Sequence, residues 1–207
     1  MALFADRADA GRDLAGHLEG WRGTDAVVAG IARGGVVVAD AVADALGLPL
    51  TAVAVRKLGI PGHEEVALGA IAAGVRVIDE RTASRAGVDD DELARIEARE
   101  RETLARRQDL IPAAAPPLSA RVVLLIDDGV ATGATAEAAA RGVRQAGASR
   151  VVLAVPVAPS DWQPRTDAVD DYVCAHPVDR LWAVGGFYGD FTQTADEDVA
   201  RILARER

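Results

Sequence analysis

The sequence predicts an α/β fold, doubly wound around a mainly parallel sheet, and two observations predict it. Short runs of consecutive apolar residues recur at 26–31, 50–55, 122–126 and 149–157. Such runs, lacking polar alternation, are what strands buried on both faces look like. Two of them lead at once into a glycine-bearing turn and then an alanine- or valine-rich helical stretch, at 32–46 and 127–145. Strand, turn, helix is the repeating unit of a parallel sheet, with ligands expected at the carboxyl ends of the strands. At 207 residues, half of them hydrophobic, the chain is expected to be one domain over 1–207.

Charge and composition narrow the function classes. A net charge of −9 argues against a nucleic-acid partner, which usually calls for a basic face. Any phosphate ligand must then be held by local amides and a few placed cations. No apolar run approaches membrane-spanning length and the N-terminus lacks the apolar core of a signal peptide, so no membrane partner and a cytoplasmic location are expected. The single cysteine, Cys174, has no internal disulfide partner and reads as a buried structural thiol in a reducing compartment. Of 23 basic residues 22 are arginine, and Lys57 is the one lysine.

Residues 6–18 read as an amphipathic helix with Ala10, Leu14 and Leu18 on one side, and His17 as a surface residue. The strand 26–31 runs into Ala32-Arg33-Gly34-Gly35, and the helix that follows, 36–46, is ended by Gly47 and Pro49. A glycine turn at a helix N-terminus is a place for an anion. The strand 50–55 delivers Arg56 and Lys57 into a Gly/Pro loop containing His63, Glu64 and Glu65, and 66–72 with 75–78 return as a hairpin around Gly74. That loop is either a solvated surface excursion or a lid whose cations close over a polyanion.

Residues 79–111 are dominated by one charged helix, capped by the carboxylates at 89–91. Its thin stripe of Leu93, Ile96 and Leu104 is a candidate for meeting a second subunit, and a homodimer is expected. A Pro/Ala linker, 112–119, returns to the sheet. After the strand 149–157, a short helix is expected at 161–168 and a last strand at 171–175. From 176 on, Trp182, Phe187, Tyr188 and Phe191 hold four of the eight aromatic residues, either as a satellite core or as a stacking platform for a planar base. Thr194 is placed to cap a last helix over 195–205, with Glu197 at capping-box spacing.

The richest stretch is 121–135, Arg-Val-Val-Leu-Leu-Ile-Asp-Asp-Gly-Val-Ala-Thr-Gly-Ala-Thr. Its strand ends in adjacent carboxylates, Asp127 and Asp128. The loop amides, the helix N-terminus and the hydroxyls of Thr132 and Thr135 then make a phosphate cradle. Carboxylates beside such a cradle suit sugar hydroxyls or a magnesium ion. A Rossmann-type dinucleotide site is disfavoured, because neither glycine turn has the G-x-G-x-x-G spacing.

This stretch resembles the 5-phosphoribosyl-pyrophosphate (PRPP) signature of type I phosphoribosyltransferases, two acidic residues ahead of a Thr-Gly-x-Thr-like loop. The resemblance spans roughly residues 4–200 and includes Arg-Lys-Leu-Gly at 56–59 and Phe-Tyr-x-Asp-Phe at 187–191, shared with stand-alone bacterial members of unassigned acceptor. It implies the family fold, with a flexible loop hairpin, a core at about 4–175 and a small hood at about 176–207. It also implies Mg²⁺-dependent transfer of a phosphoribosyl group from PRPP to a nitrogenous base, with release of pyrophosphate.

On that resemblance Asp127 and Asp128 hold the ribose hydroxyls and the metal, directly or through water. Gly129, Val130, Ala131, Thr132, Gly133, Ala134 and Thr135 cradle the 5-phosphate. Ala32, Arg33, Gly34 and Gly35, with His63, take the pyrophosphate, Arg56 and Lys57 neutralise it, and Trp182, Phe187 and Tyr188 form the base pocket. Two departures matter. The family's further loop lysine is missing, which leaves open a non-catalytic PRPP or nucleotide sensor on the same fold. Ala131 stands where 6-oxopurine enzymes carry an aspartate, so a 6-oxopurine acceptor is disfavoured.

Overall fold

Parallel strands need crossovers, and the chain supplies them with helices. The computed structural model describes residues 2–60, 63–164 and 167–205, and of 63–66 the backbone alone. Helix α1 (Arg7–Gly16) opens on Asp6, whose carboxylate accepts from the Asp9 amide at 2.8 Å. Strand β1 (Val27–Ala32), buried along its whole length, leads into α2 (Gly34–Leu46), which Gly47 ends in the left-handed conformation. There follow β2 (Leu50–Ile60), β3 (His63–Ala72) and β4 (Val75–Ile78), then α3 (Glu80–Ala86), α4 (Asp90–Gln108), β5 (Val122–Ile126), α5 (Ala134–Gln145), β6 (Arg150–Pro159), β7 (Asp171–Val178) and α6 (Asp196–Leu203).

The seven strands form one sheet in the order β4-β3-β2-β1-β5-β6-β7. The five from β2 to β7 are parallel, and β3 and β4 fold back antiparallel on β2. Both faces are covered, as a parallel sheet requires. Ala29, Ile31, Val123 and Leu125 meet the buried alanines of α5 on one face, while Val28, Leu124 and Ile126 meet α1 and α2 on the other. Because β2 and β5 flank β1, the chain winds away from β1 in opposite directions. The crevice this opens at the carboxyl ends of β1 and β5 is the topological switch point.

The expected charged helix is α4, started by Asp89, which accepts from the Glu92 amide as its capping carboxylates suggested; a short helix, α3, precedes it and ends at Gly87, φ 68°. Three other expectations need correction. The Leu93–Ile96–Leu104 stripe packs on Ala54, Leu58, Leu68 and Ile71 of its own chain, so it is covered without a second subunit. The described part of 161–168 is turn and irregular chain, because Pro164 falls inside it and the Trp162 side chain packs against Tyr172. The last helix starts one residue later than expected, with Asp198 rather than Glu197 accepting from the Ala195 amide and no cap from Thr194.

Strand β6 also outruns its expected end, carrying Pro156 inside it. Its pairing with β5 stops at Ala154, ahead of the proline. The vacated edge is used: Val130, in the loop after β5, donates its amide to the Val157 carbonyl at 3.0 Å.

Candidate active site

Asp127 and Asp128 lie at the end of β5, in the crevice. The Asp128 amide donates to Asp127 Oδ1 at 2.9 Å, and the Asp128 Oδ2 accepts from Arg7 Nε at 2.8 Å. Burial pushes both carboxyl groups up from the ordinary carboxylate range. For Asp127 the neighbouring Asp128 charge pushes the same way, whereas for Asp128 the Arg7 guanidinium pulls back. Two half-buried carboxylates against one guanidinium leave a site that attracts a cation. Two protein oxygens fit Mg²⁺ well, since that ion keeps waters and takes further oxygens from a phosphorylated ligand.

The turn from β1 packs directly on this pair. A Cβ at Gly34 would stand 2.1 Å from Asp128 Oδ2 and 2.8 Å from Arg7 Nε, and one at Gly35 would stand 2.7 Å from the Ile126 carbonyl oxygen. Glycine is thus required at Gly35, which meets backbone, while a methyl at Gly34 would have to displace the Asp128 carboxylate and the Arg7 guanidinium; the two glycine turns share one site. The peptide joining Ala32 to Arg33 is cis. No side chain caps α2 at Arg33, and although the Val36 amide turns back to the Arg33 carbonyl at 3.1 Å, the Gly34 and Gly35 amides ahead of it are placed for an anion.

The loop after β5 is built in the same way. Gly133 takes φ 89°, a conformation side-chain-bearing residues rarely adopt, and α5 starts from it with no side-chain cap. Val130 is buried and anchors the loop, whereas Ala131 and Thr132 are exposed. Trp162 lies against Gly133, where an added Cβ would fall 2.5 Å from the indole, and its Nε1 reaches the Thr132 carbonyl at 3.4 Å. Its other side meets Tyr172 edge-on.

The strand alternation parts Arg56 from Lys57: Arg56 is on the α4 face, and Lys57 is exposed on the opposite one. Arg56 donates through Nε and Nη2 to Glu100 Oε2 at 2.8 and 2.5 Å. Beside it, Arg107 of α4 is buried and donates to the Val55 carbonyl. Burial, and then the charges of Arg56 and Arg33, lower the Arg107 pKa to about 10. Arg33 and Arg107 converge on one buried oxygen, Asp196 Oδ1, at 3.5 and 3.8 Å, neither close enough for a hydrogen bond. The His63 side chain lies outside the described residues.

The hood aromatics divide by exposure. Tyr188 is buried between Phe4 and Phe191, and its hydroxyl donates to the Asp128 carbonyl at 2.5 Å. It is therefore a brace for the turn, and its ring faces are covered, against the expected stacking role. Phe187 is half-buried in the same cluster, and Trp182 is 94 % exposed. Of the three, Trp182 is by far the most exposed. A cavity of about 820 Å³ lies elsewhere, at the amino end of β2, between Gly47–Leu50, the 112–116 segment and the C-terminal end of α6.

Reasoning from sequence missed Arg7, Arg107, Trp162 and Asp196. For the charged residues no local signal exists, since each is one of many surface-type charges until the fold brings it to the crevice. Trp162, a rare residue between two prolines, carried a weak one.

Residues 5–191 match the model of the phosphoribosyl transferase domain. A Mycobacterium tuberculosis (strain H37Rv) protein provisionally named as a phosphoribosyl transferase, Rv0571c, is 42% identical over 209 residues, covering 99% of this chain and 47% of its own length. The chain thus spans about half the length of the curated relatives it matches. The crystal structure of TT1426 from Thermus thermophilus superposes with a TM-score of 0.74 at 42% identity, covering 98% of each chain. A hypothetical protein from Neisseria gonorrhoeae, solved with bound ppGpp, shares the fold at TM-score 0.53 and 15% identity, covering 98% of this chain and 97% of that one. With its acidic pair between two glycine turns at the switch point, and with this match over most of its length, the chain belongs to the phosphoribosyl transferase domain family.

Proposed function

We propose that the protein transfers a 5-phosphoribosyl group from PRPP to a nitrogenous base and releases pyrophosphate. The observation that carries this reading is the packing of Gly34 and Gly35 against Asp127 and Asp128, which puts two uncapped helix N-termini on either side of one acidic pair. A ligand with a phosphate at one end, a diphosphate at the other and a sugar diol between matches that spacing of functions.

In this reading the amides of 130–135 bind the 5-phosphate, with the Thr132 and Thr135 hydroxyls. Asp127 and Asp128 take the ribose hydroxyls, and the 32–35 turn takes the diphosphate. Mg²⁺, held by Asp127 and Asp128 directly or through water, supplies charge neutralisation for the leaving diphosphate when bound. The reaction builds positive charge on the ribose ring, so these residues act by positioning and by electrostatics. Lys57 and His63 are the loop cations of this reading. Trp182 offers the acceptor its exposed indole, and Ala131 disfavours a 6-oxopurine. A homodimer remains part of the reading, testable by sedimentation.

One observation favours a second reading, a non-catalytic PRPP or nucleotide sensor: the Arg56 guanidinium is already taken by Glu100. Pyrophosphate release from PRPP across a panel of bases separates the two. The enzyme reading requires release with at least one base and a loss of at least about tenfold in Asp128→Asn. Binding of PRPP without release from any base would favour the sensor.

A further inference from the structure

Asp128 is held from outside its own loop. Arg7, in the first turn of α1, makes three contacts at once. Its Nε donates to Asp128 Oδ2 at 2.8 Å, its Nη1 donates to the Thr192 carbonyl at 2.9 Å, and its guanidinium lies 3.8 Å from the centre of the Phe191 ring. The Arg7 and Asp128 side chains are only 11% and 17% exposed, so solvent screens this pair little. Tyr188 adds a fourth link, from its hydroxyl to the Asp128 carbonyl. One aspartate is thereby tied to the hood twice, by its carbonyl through Tyr188 and by its carboxylate through Arg7.

The geometry divides the two carboxylate oxygens. Oδ2 is taken by Arg7, and apart from its own backbone amide no other described residue donates to the carboxylate, which leaves Oδ1 open to a ligand. We infer that Arg7 is a positioning residue: it fixes Asp128 with one oxygen left for a ligand hydroxyl, and it makes the hood respond when that oxygen is occupied. This rests on the reading of Asp128 as a ribose-binding residue. Arginine suits the task because a planar fork can bond a carboxylate, bond a carbonyl and stack on a ring together, whereas a lysine ammonium is a point charge. If Arg7 merely pinned α1 to the sheet, ligand binding at 129–135 would leave the hood amides unaffected by its identity.

The test is calorimetric titration with PRPP and Mg²⁺, paired with hydrogen exchange at the amides of 129–135 and 187–194, in the wild type, Asp128→Asn, Arg7→Gln and Arg7→Lys. Asp128→Asn tests the underlying reading. If the wild type does not bind PRPP, or if Asp128→Asn binds it unchanged, that reading fails and the role of Arg7 falls with it. Given a weakened Asp128→Asn, the inference expects Arg7→Gln to bind about tenfold more weakly. At saturating PRPP this variant should keep the slowed exchange of 129–135 and lose that of 187–194. Arg7→Lys should recover most of the affinity but not the hood response. An Arg7→Gln protein with wild-type affinity, or with a wild-type hood response, overturns it. Should Arg7→Gln not fold, a full hood response in Arg7→Lys does the same.

Discussion

Asp127 shows what the site costs at the level of one residue. Its carboxyl is pushed upward by burial and by the adjacent Asp128 charge, so the folded protein holds an anion that the unfolded chain would hold more easily. The sign follows from linkage: the penalty is absent below the unfolded carboxylate pKa, where both states are protonated, and is complete above the raised folded one. Asp127→Asn should therefore raise Tm at neutral pH while lowering turnover of PRPP, with the Tm gain vanishing as pH falls into the carboxylate range. Paired thermal melts at several pH values and a pyrophosphate assay check this. Gly34 makes the complementary case. A methyl group there meets Asp128 Oδ2 and Arg7 Nε, so Gly34→Ala should weaken PRPP binding by at least about tenfold, measured by calorimetry. At this scale the sequence singled out Asp127, Asp128, Gly34 and Gly35 as candidates, because spacing within one turn fixes what neighbours what. It did not identify Arg7 or Arg107, whose partners come from distant parts of the chain.

Between elements, the hood is fastened to β5 by few bonds, and Tyr188 supplies one of the shortest. Removing its hydroxyl leaves the Asp128 carbonyl without that donor in a buried place. Tyr188→Phe should destabilise by about 1–2 kcal/mol and weaken PRPP binding a few-fold, read from denaturant melts and titration. Its OH titrates higher than a free phenol, chiefly through burial, so the bond should persist across the usable pH range. The cap of α4 is a purely structural counterpart. Asp89→Ala removes the acceptor for the Glu92 amide and should cost about 1 kcal/mol while leaving PRPP affinity unchanged. Helix existence was legible from apolar spacing and capping residues, including the start of α4 at Asp89, but the separate α3 was not, because seven residues carry too little apolar pattern to register.

For the whole molecule, the switch point between β1 and β5 decides where ligands go. A single continuous sheet with a helix layer on each face should melt in one cooperative transition. A ligand bound only by the folded state stabilises it by about 2.7 kcal/mol at 100 times its dissociation constant. For a chain of this size that corresponds to a rise in Tm of roughly 5–10 °C. PRPP with Mg²⁺ should produce that shift in calorimetric scans, and Asp128→Asn should remove most of it.

What the sequence determined by itself was local: the buried strands, the two glycine turns and the acidic pair, each written within about fifteen consecutive residues of apolar pattern and turn chemistry. The parallel winding followed from their order, as did the family. Tertiary structure alone decided which distant groups complete the site. It brought Arg7 to Asp128, turned Tyr188 from a candidate stacking ring into a brace, assigned Arg56 to Glu100, and covered the α4 stripe within the chain. The reason is physical. Periodicity and propensity record a residue's immediate chain neighbours, whereas a charge or an aromatic ring takes its role from whatever the closed sheet places within a few ångströms of it.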